Sequence, residues 1–103
     1  MTTTDLIIEA TRARAKAHAK HGDNSIESLA ADSPHWLPVL VEEVGEVANT
    51  LTYDGPDLET RAELMDVLAV VTAWIDAIDT RDRLNAHRIQ RGLAPSTTPT
   101  GRN

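Results

Sequence analysis

With 103 residues and a formal charge of −6, the chain has room for one small domain, and its balance disfavours a nucleic-acid polymer as partner because phosphate contacts need clustered Lys and Arg. Cysteine is absent, which excludes disulfides and thiolate metal sites, and the longest apolar run, VLAVVTAWI, is far too short to span a membrane. The start, MTTTDLIIEA, lacks a basic segment followed by a long apolar run, so the expectation is a cytoplasmic chain with no membrane partner.

Hydrophobic residues make up 41% of the chain, yet Trp36, Tyr53 and Trp74 are its only aromatics. The core must therefore be aliphatic and alanine-rich, a composition that favours helices. A core of this size buries a modest share of the surface, and association with further copies is expected to complete it.

Residues 5–20 place Leu6, Ile7, Ala10, Ala13 and Ala17 at helical spacing, with Arg12, Arg14, Lys16 and Lys20 between them. Gly22 supplies a stop. Residues 22–33 carry turn formers at both ends and read as a loop with one short helical turn. Ser33-Pro34 fits an N-cap followed by a first-position proline, although Pro38 moves the alternative start to Leu37 unless it falls within the first turns. From there to Tyr53, Leu37, Leu40, Val41, Val44, Val47, Ala48 and Leu51 recur with the helical period. Asp54-Gly55-Pro56-Asp57 breaks the chain, and Asp57, or Thr60 with Glu63, suits a cap for the next helix, which is expected to end near Ile78 or Asp79. Residues 80–91 read as a short, basic C-terminal helix, and 92–103 have the composition of a disordered tail. The expected fold is an all-α antiparallel bundle of three main helices plus this short one, a single domain over residues 1–91, completed by oligomerisation.

Charge is unevenly distributed. Between Glu42 and Asp66 lie eight acidic residues and one base, Arg61. Glu42, Glu43 and Glu46 sit three or four apart on one helix, and Glu63 and Asp66 sit three apart on the next. An acidic helix face is ordinarily just a solvated one, and the acids of the first helix lie opposite its aliphatic stripe. Two observations weigh against that account: no base stands three or four residues from the three glutamates, and Glu63 and Asp66 line up with Val70, Ala73 and Ala77 at the edge of an apolar arc. Facing ExxE and ExxD pairs would suit a hard cation such as Mg²⁺ or Mn²⁺, which takes carboxylate, water and phosphate oxygens. Gly45, between the acids, costs about 1 kcal/mol relative to alanine mid-helix, which fits either a close approach to the backbone or a packing constraint.

In this arrangement EExxE (Glu42, Glu43, Glu46) followed by ExxD (Glu63, Asp66) resembles the signature of the MazG-like, all-α nucleoside triphosphate pyrophosphohydrolases. The upstream HGDNSIESL and SPHWLPVLVEEVGEVA look like the same regions of small phage and actinobacterial members. The resemblance covers about residues 10–80 and implies a homodimer or homotetramer. It also implies Mg²⁺ (or Mn²⁺) held by Glu43, Glu46, Glu63 and Asp66, Glu42 assisting in catalysis, and cleavage of a nucleoside triphosphate between its α and β phosphates. Family members commonly carry basic or amide residues after ExxD, whereas Val67 to Ile78 offers none. Phosphate contacts then fall to Lys16, Lys20, His21, Arg81 or Arg83, and Trp36, just before the acidic helix, is a candidate to touch the base. Two alternatives remain: a nucleotide-binding module of the same fold with weak or no turnover, and an acidic helical interaction protein without metal. His35 and His87 read as structural or solvent-facing, and the absence of HExxH or ExxH leaves zinc-protease and di-iron readings weak.

Overall fold

The computed structural model describes residues 1–54 and 57–92, with side chains outside 53–58. Three helices account for most of them and no β-strand occurs among the described residues. None of these helices is long and apolar enough to cross a membrane.

Helix α1 spans Thr3–His21. Its start is a capping box: the Thr2 hydroxyl accepts from the Asp5 amide at 3.1 Å, and the Asp5 carboxylate accepts from the Thr2 amide at 3.0 Å. The Thr2 amide and the Thr2 hydroxyl, both donating to the Asp5 carboxylate, hold its carboxyl below the ordinary range. At the far end Gly22, with φ 56°, closes the helix by returning its N–H to the His18 carbonyl. Ala10 is buried, with Leu6, Ala13 and Ala17 half-buried beside it, whereas Ile7 turns out to be exposed. The connection that follows holds two 3-10 turns, Gly22–Asn24 and Ile26–Ser28.

Helix α2 spans Trp36–Asn49, two residues later than a Ser33 cap would place it. The Ser33 hydroxyl accepts from the His35 amide at 3.2 Å instead, and His35 caps the helix without a side-chain bond. Pro38 falls at the third helical position, among the amides that have no intrahelical partner, so its missing N–H costs nothing. The helix passes into a π-type turn, Thr50–Asp54.

Helix α3 spans Asp57–Gln90, 34 residues and roughly 51 Å at 1.5 Å per residue. The separate short C-terminal helix expected from the sequence does not exist: residues 80–90 continue α3, because no glycine or proline interrupts the chain until Gly92. There φ is 75°, and the Gly92 N–H bonds the Ile89 carbonyl. Thr60 lies inside this helix and does not cap it; its hydroxyl pairs with that of Thr50 at 2.9 Å. The expected Asp57 side-chain cap, and the tail from residue 93 on, lie outside the described residues.

The Thr50–Thr60 bond ties the end of α2 to the start of α3, and Trp36, at the start of α2, stacks on Trp74 far along α3, so the two helices run antiparallel. Leu29, Trp36, Val70 and Ala73 form the core, with Ile26, Val39, Leu40 and Ala77 packed around it. Helix α1 lies on another side of α3, fastened by Arg61, which reaches both carboxylate oxygens of Glu9, and by Arg14, which reaches Asp76.

Each of α2 and α3 has two apolar faces where the sequence suggested one. On α2, Trp36, Leu40, Val47 and Thr50 turn inward, while Leu37, Val41, Val44, Ala48 and Leu51, spaced four, three, four and three, stay exposed, Val44 at 51% and Leu51 at 68%. On α3 the buried face is Met65, Ala69, Val70 and Ala73, while the apolar Leu64 and Ile75 are half open to solvent.

Candidate metal centre

Glu43 lies between Leu40 and Val47 on the inward face of α2, so the packing that buries Trp36 also aims this carboxylate at α3. Glu63 and Asp66 come from α3, about two turns and one turn before Val70. One carboxylate oxygen from each of Glu43, Glu63 and Asp66 falls within 4.8 Å of the other two. Octahedral ligands about 2.1 Å from Mg²⁺ stand roughly 3.0–4.2 Å apart, so small side-chain adjustments bring the three into coordinating range. Hard oxygen donors are the right chemistry for Mg²⁺ or Mn²⁺ and the wrong one for softer metals. The other two acids are exposed and outside this triad: Glu46 lies at the border of the inward face and Glu42 further round the helix.

The triad is electrostatically unrelieved. Burial raises the pKa of Glu43, and the charges of Asp66, Glu63, Glu42 and Glu46 raise it further. Glu63 is raised in the same way, by desolvation first and then by Asp66 and Glu46. The ion pairs of Arg14, Arg61 and Arg81 are made elsewhere, with Glu27, Asp76, Glu9 and Asp82. Gly45, one residue before Glu46, has open space where a Cβ would stand, so nothing in the described chain requires glycine there.

Beside the triad opens a cleft of about 300 Å³. Glu43 and Asp66 form its acidic rim, His21, Asn24 and Ser25 supply polar groups from the end of α1 and the connection, and Ala17, Val39, Ala69 and Val70 make its apolar walls. A cleft with an apolar body, a few polar groups and one strongly charged end suits a ligand of the same make-up.

Among the expected substrate contacts, His21 reaches this cleft. Lys16 and Lys20 are exposed on the flank of α1 and do not line it. Arg81 pairs with Asp82, and Arg83 donates to Thr80; Arg81 stands fifteen residues beyond Asp66, roughly 22 Å along the helix axis, so within one chain neither arginine meets the triad. Trp36 is corrected outright. It is 1% exposed, its indole N–H donates to the Ala30 carbonyl at 2.7 Å, and its ring stacks parallel to Trp74 at 5.8 Å between centroids, leaving no face for a base. Losing such a ring from a core typically costs about 3–5 kcal/mol, and core packing is its role.

Sequence reasoning missed Arg14, Asn24 and Ser25. For Arg14 a signal existed: it sits four residues after Ala10 and three before Ala17, a charge placed on the apolar face. Asn24 and Ser25 belong to an aperiodic segment and left none. Comparison with protein-family models, with curated proteins and with solved structures found no match to this chain.

Proposed function

We propose that this protein hydrolyses a nucleoside triphosphate between the α and β phosphates, giving a nucleoside monophosphate and pyrophosphate. The observation that carries this reading is the convergence of Glu43, Glu63 and Asp66 from two helices at the mouth of a cleft sized for a small molecule. The resemblance of EExxE and ExxD to the MazG-like pyrophosphohydrolases supplies the reaction type.

In this mechanism Glu43, Glu63 and Asp66 would hold Mg²⁺ or Mn²⁺, with Glu46 as a further candidate ligand from the border of the inward face. Such an ion would supply charge neutralisation for the phosphates and a more acidic water. Glu42, exposed beside Glu43, orients or deprotonates the attacking water. The water oxygen bonds to the α phosphorus as its bond to the bridging oxygen breaks, and the β and γ phosphates leave together as pyrophosphate. The cleft receives the nucleoside end, with His21 at its polar edge, and a cytoplasmic location suits such a substrate.

The working unit in this reading is a homodimer or homotetramer in which copies pack as an antiparallel bundle. Its support is the exposed seam of Leu37, Val41, Val44, Ala48 and Leu51, which has the four-three spacing of a helix–helix contact. The same assembly would let Arg81 or Arg83 reach phosphates of a neighbouring copy. Val44→Glu should turn a sedimenting oligomer into a monomer, because each copy would bury a charge in the seam; unchanged sedimentation refutes it.

A panel of canonical and modified nucleoside triphosphates with Mg²⁺ tests the activity: release of pyrophosphate supports it, and silence across the panel rejects it. Among the described residues no unengaged Lys or Arg lines the cleft, which favours a second reading, a nucleotide-binding module without efficient turnover. Calorimetry separates them, since tight Mg²⁺-dependent binding without product belongs to the module alone.

A further inference from the structure

The connection between α1 and α2 forms one wall of the cleft; Ile26 and Leu29 pack it on the core, but the turns themselves are short. Its two 3-10 turns are three residues each and neither has a side-chain cap. Turns of this length contribute few hydrogen bonds of their own and open readily unless held from outside.

Two side chains of α1 hold it. The His18 Nδ1 stands 2.7 Å from the hydroxyl of the buried Ser25. The stronger tie is Arg14, whose Nε donates to Glu27 Oε1 at 2.7 Å and Nη2 to Glu27 Oε2 at 3.1 Å, while Nη1 donates to Asp76 Oδ2 at 2.7 Å. One guanidinium thus joins α1, the connection and α3. Its side chain is only 13% exposed, so screening by water is reduced, and the forked geometry on Glu27 is one that lysine cannot reproduce. All three of its nitrogens are engaged by protein carboxylates, so although Arg14 borders the cleft it is committed to holding the wall.

We infer that Arg14 is a positioning residue: through Glu27 and Asp76 it fixes the 22–28 connection, and with it Asn24 and Ser25, as the wall against which the nucleoside end of the substrate packs. This rests on the functional reading above. Loosening the wall weakens binding of the nucleoside and leaves the cation site on α2 and α3 untouched.

The test compares the full chain with Arg14→Ala, Arg14→Lys and Glu27→Ala by hydrogen–deuterium exchange, Mn²⁺ calorimetry and steady-state kinetics on the preferred triphosphate. In Arg14→Ala, exchange over residues 22–28 should rise while that over 42–47 stays constant. KM should increase roughly ten-fold or more with kcat within about three-fold, because the wall binds and does not react. Mn²⁺ affinity should not move. Arg14→Lys should fall between wild type and Arg14→Ala, and combining Arg14→Ala with Glu27→Ala should add little, since both remove one shared interaction. Unchanged exchange over 22–28, or a joint fall of kcat and Mn²⁺ affinity, overturns the inference. If Arg14→Ala does not fold, Arg14→Lys is read by the same criteria. A wild-type chain that processes and binds no triphosphate rejects the functional reading itself, whereas the exchange measurement needs no substrate and decides the tether separately.

Discussion

Two charged clusters border the same cleft, and they are built on opposite principles. Around Arg14 one cation meets two carboxylates, every pairing is short, and nothing further is needed. Around Glu43 three carboxylates converge with no cation among them, and burial and mutual repulsion raise the pKa of two of them. The first cluster is a fastening complete in the folded chain. The second holds its acids in a conflict that a divalent ion would resolve, which is why it, and not the better-formed ion pair, is the site at which the proposed chemistry is placed.

The largest expected break in this contrast comes from the triad. Glu43→Gln and Glu63→Gln should each lower turnover by roughly a hundred-fold or more, as removal of a single electrostatic contact commonly does, while leaving the fold intact; wild-type rates in both would remove the triad from the mechanism. Next in size is the response to metal. A native-state site filled at about 100 times its dissociation constant adds about 2.7 kcal/mol, so a thermal melt should shift upward by several degrees with Mg²⁺ or Mn²⁺, and Glu43→Gln should abolish the shift. A melt indifferent to both cations would favour the metal-free interaction protein.

A smaller effect concerns protons. Glu43 and Glu63 hold them more tightly in the folded chain than in the unfolded one, because their folded pKa values lie above the ordinary 4.5. The metal-free protein therefore keeps their contribution below pH 4.5 and loses stability as the pH rises from there through the raised values. Melts of Glu43→Gln against wild type across that window should show a shallower decline in the variant, and Mg²⁺ should flatten the wild-type curve; a wild-type decline no steeper than that of Glu43→Gln would refute the repulsion. The smallest effect belongs to the satisfied cluster. Asp76 is 63% exposed, so Asp76→Asn should cost under about 1 kcal/mol in a urea titration, and a cost of several kcal/mol would show that the pairing with Arg14 is not a surface one.

The proximity of Glu43, Glu63 and Asp66 was legible in part, because helical spacing alone puts Glu63 and Asp66 in line with Val70 and Ala73, which the structure buries while Asp66 stays exposed; Glu46 falls outside the triad. Gly22 likewise announced the end of α1. The extent of α3 was not legible: its composition changes near Asp79 from apolar to mixed, which imitates an end, but a helix stops where a residue stops it, and none does before Gly92. The division of α2 into two apolar faces was hidden as well. Leu40, Val47, Val41 and Val44 share one broad arc, and only packing against α3 decides which of them point inward. Trp36 was misjudged because adjacency to the acids along the chain says nothing about its direction; it turns to Ala30 and Trp74. The cleft depends on an aperiodic connection whose position follows from tertiary ties such as Arg14–Glu27, and no local pattern encodes those.

The open flank at Gly45 has a practical consequence in a chain without cysteine. A thiol introduced there by Gly45→Cys would be unique, its Cβ would have open space apart from its own helix backbone, and it would stand within one helical turn of both Glu43 and Glu46. A nitroxide attached at that point becomes a ruler: bound Mn²⁺ would broaden its resonance according to distance, and would locate the ion without any substrate being present.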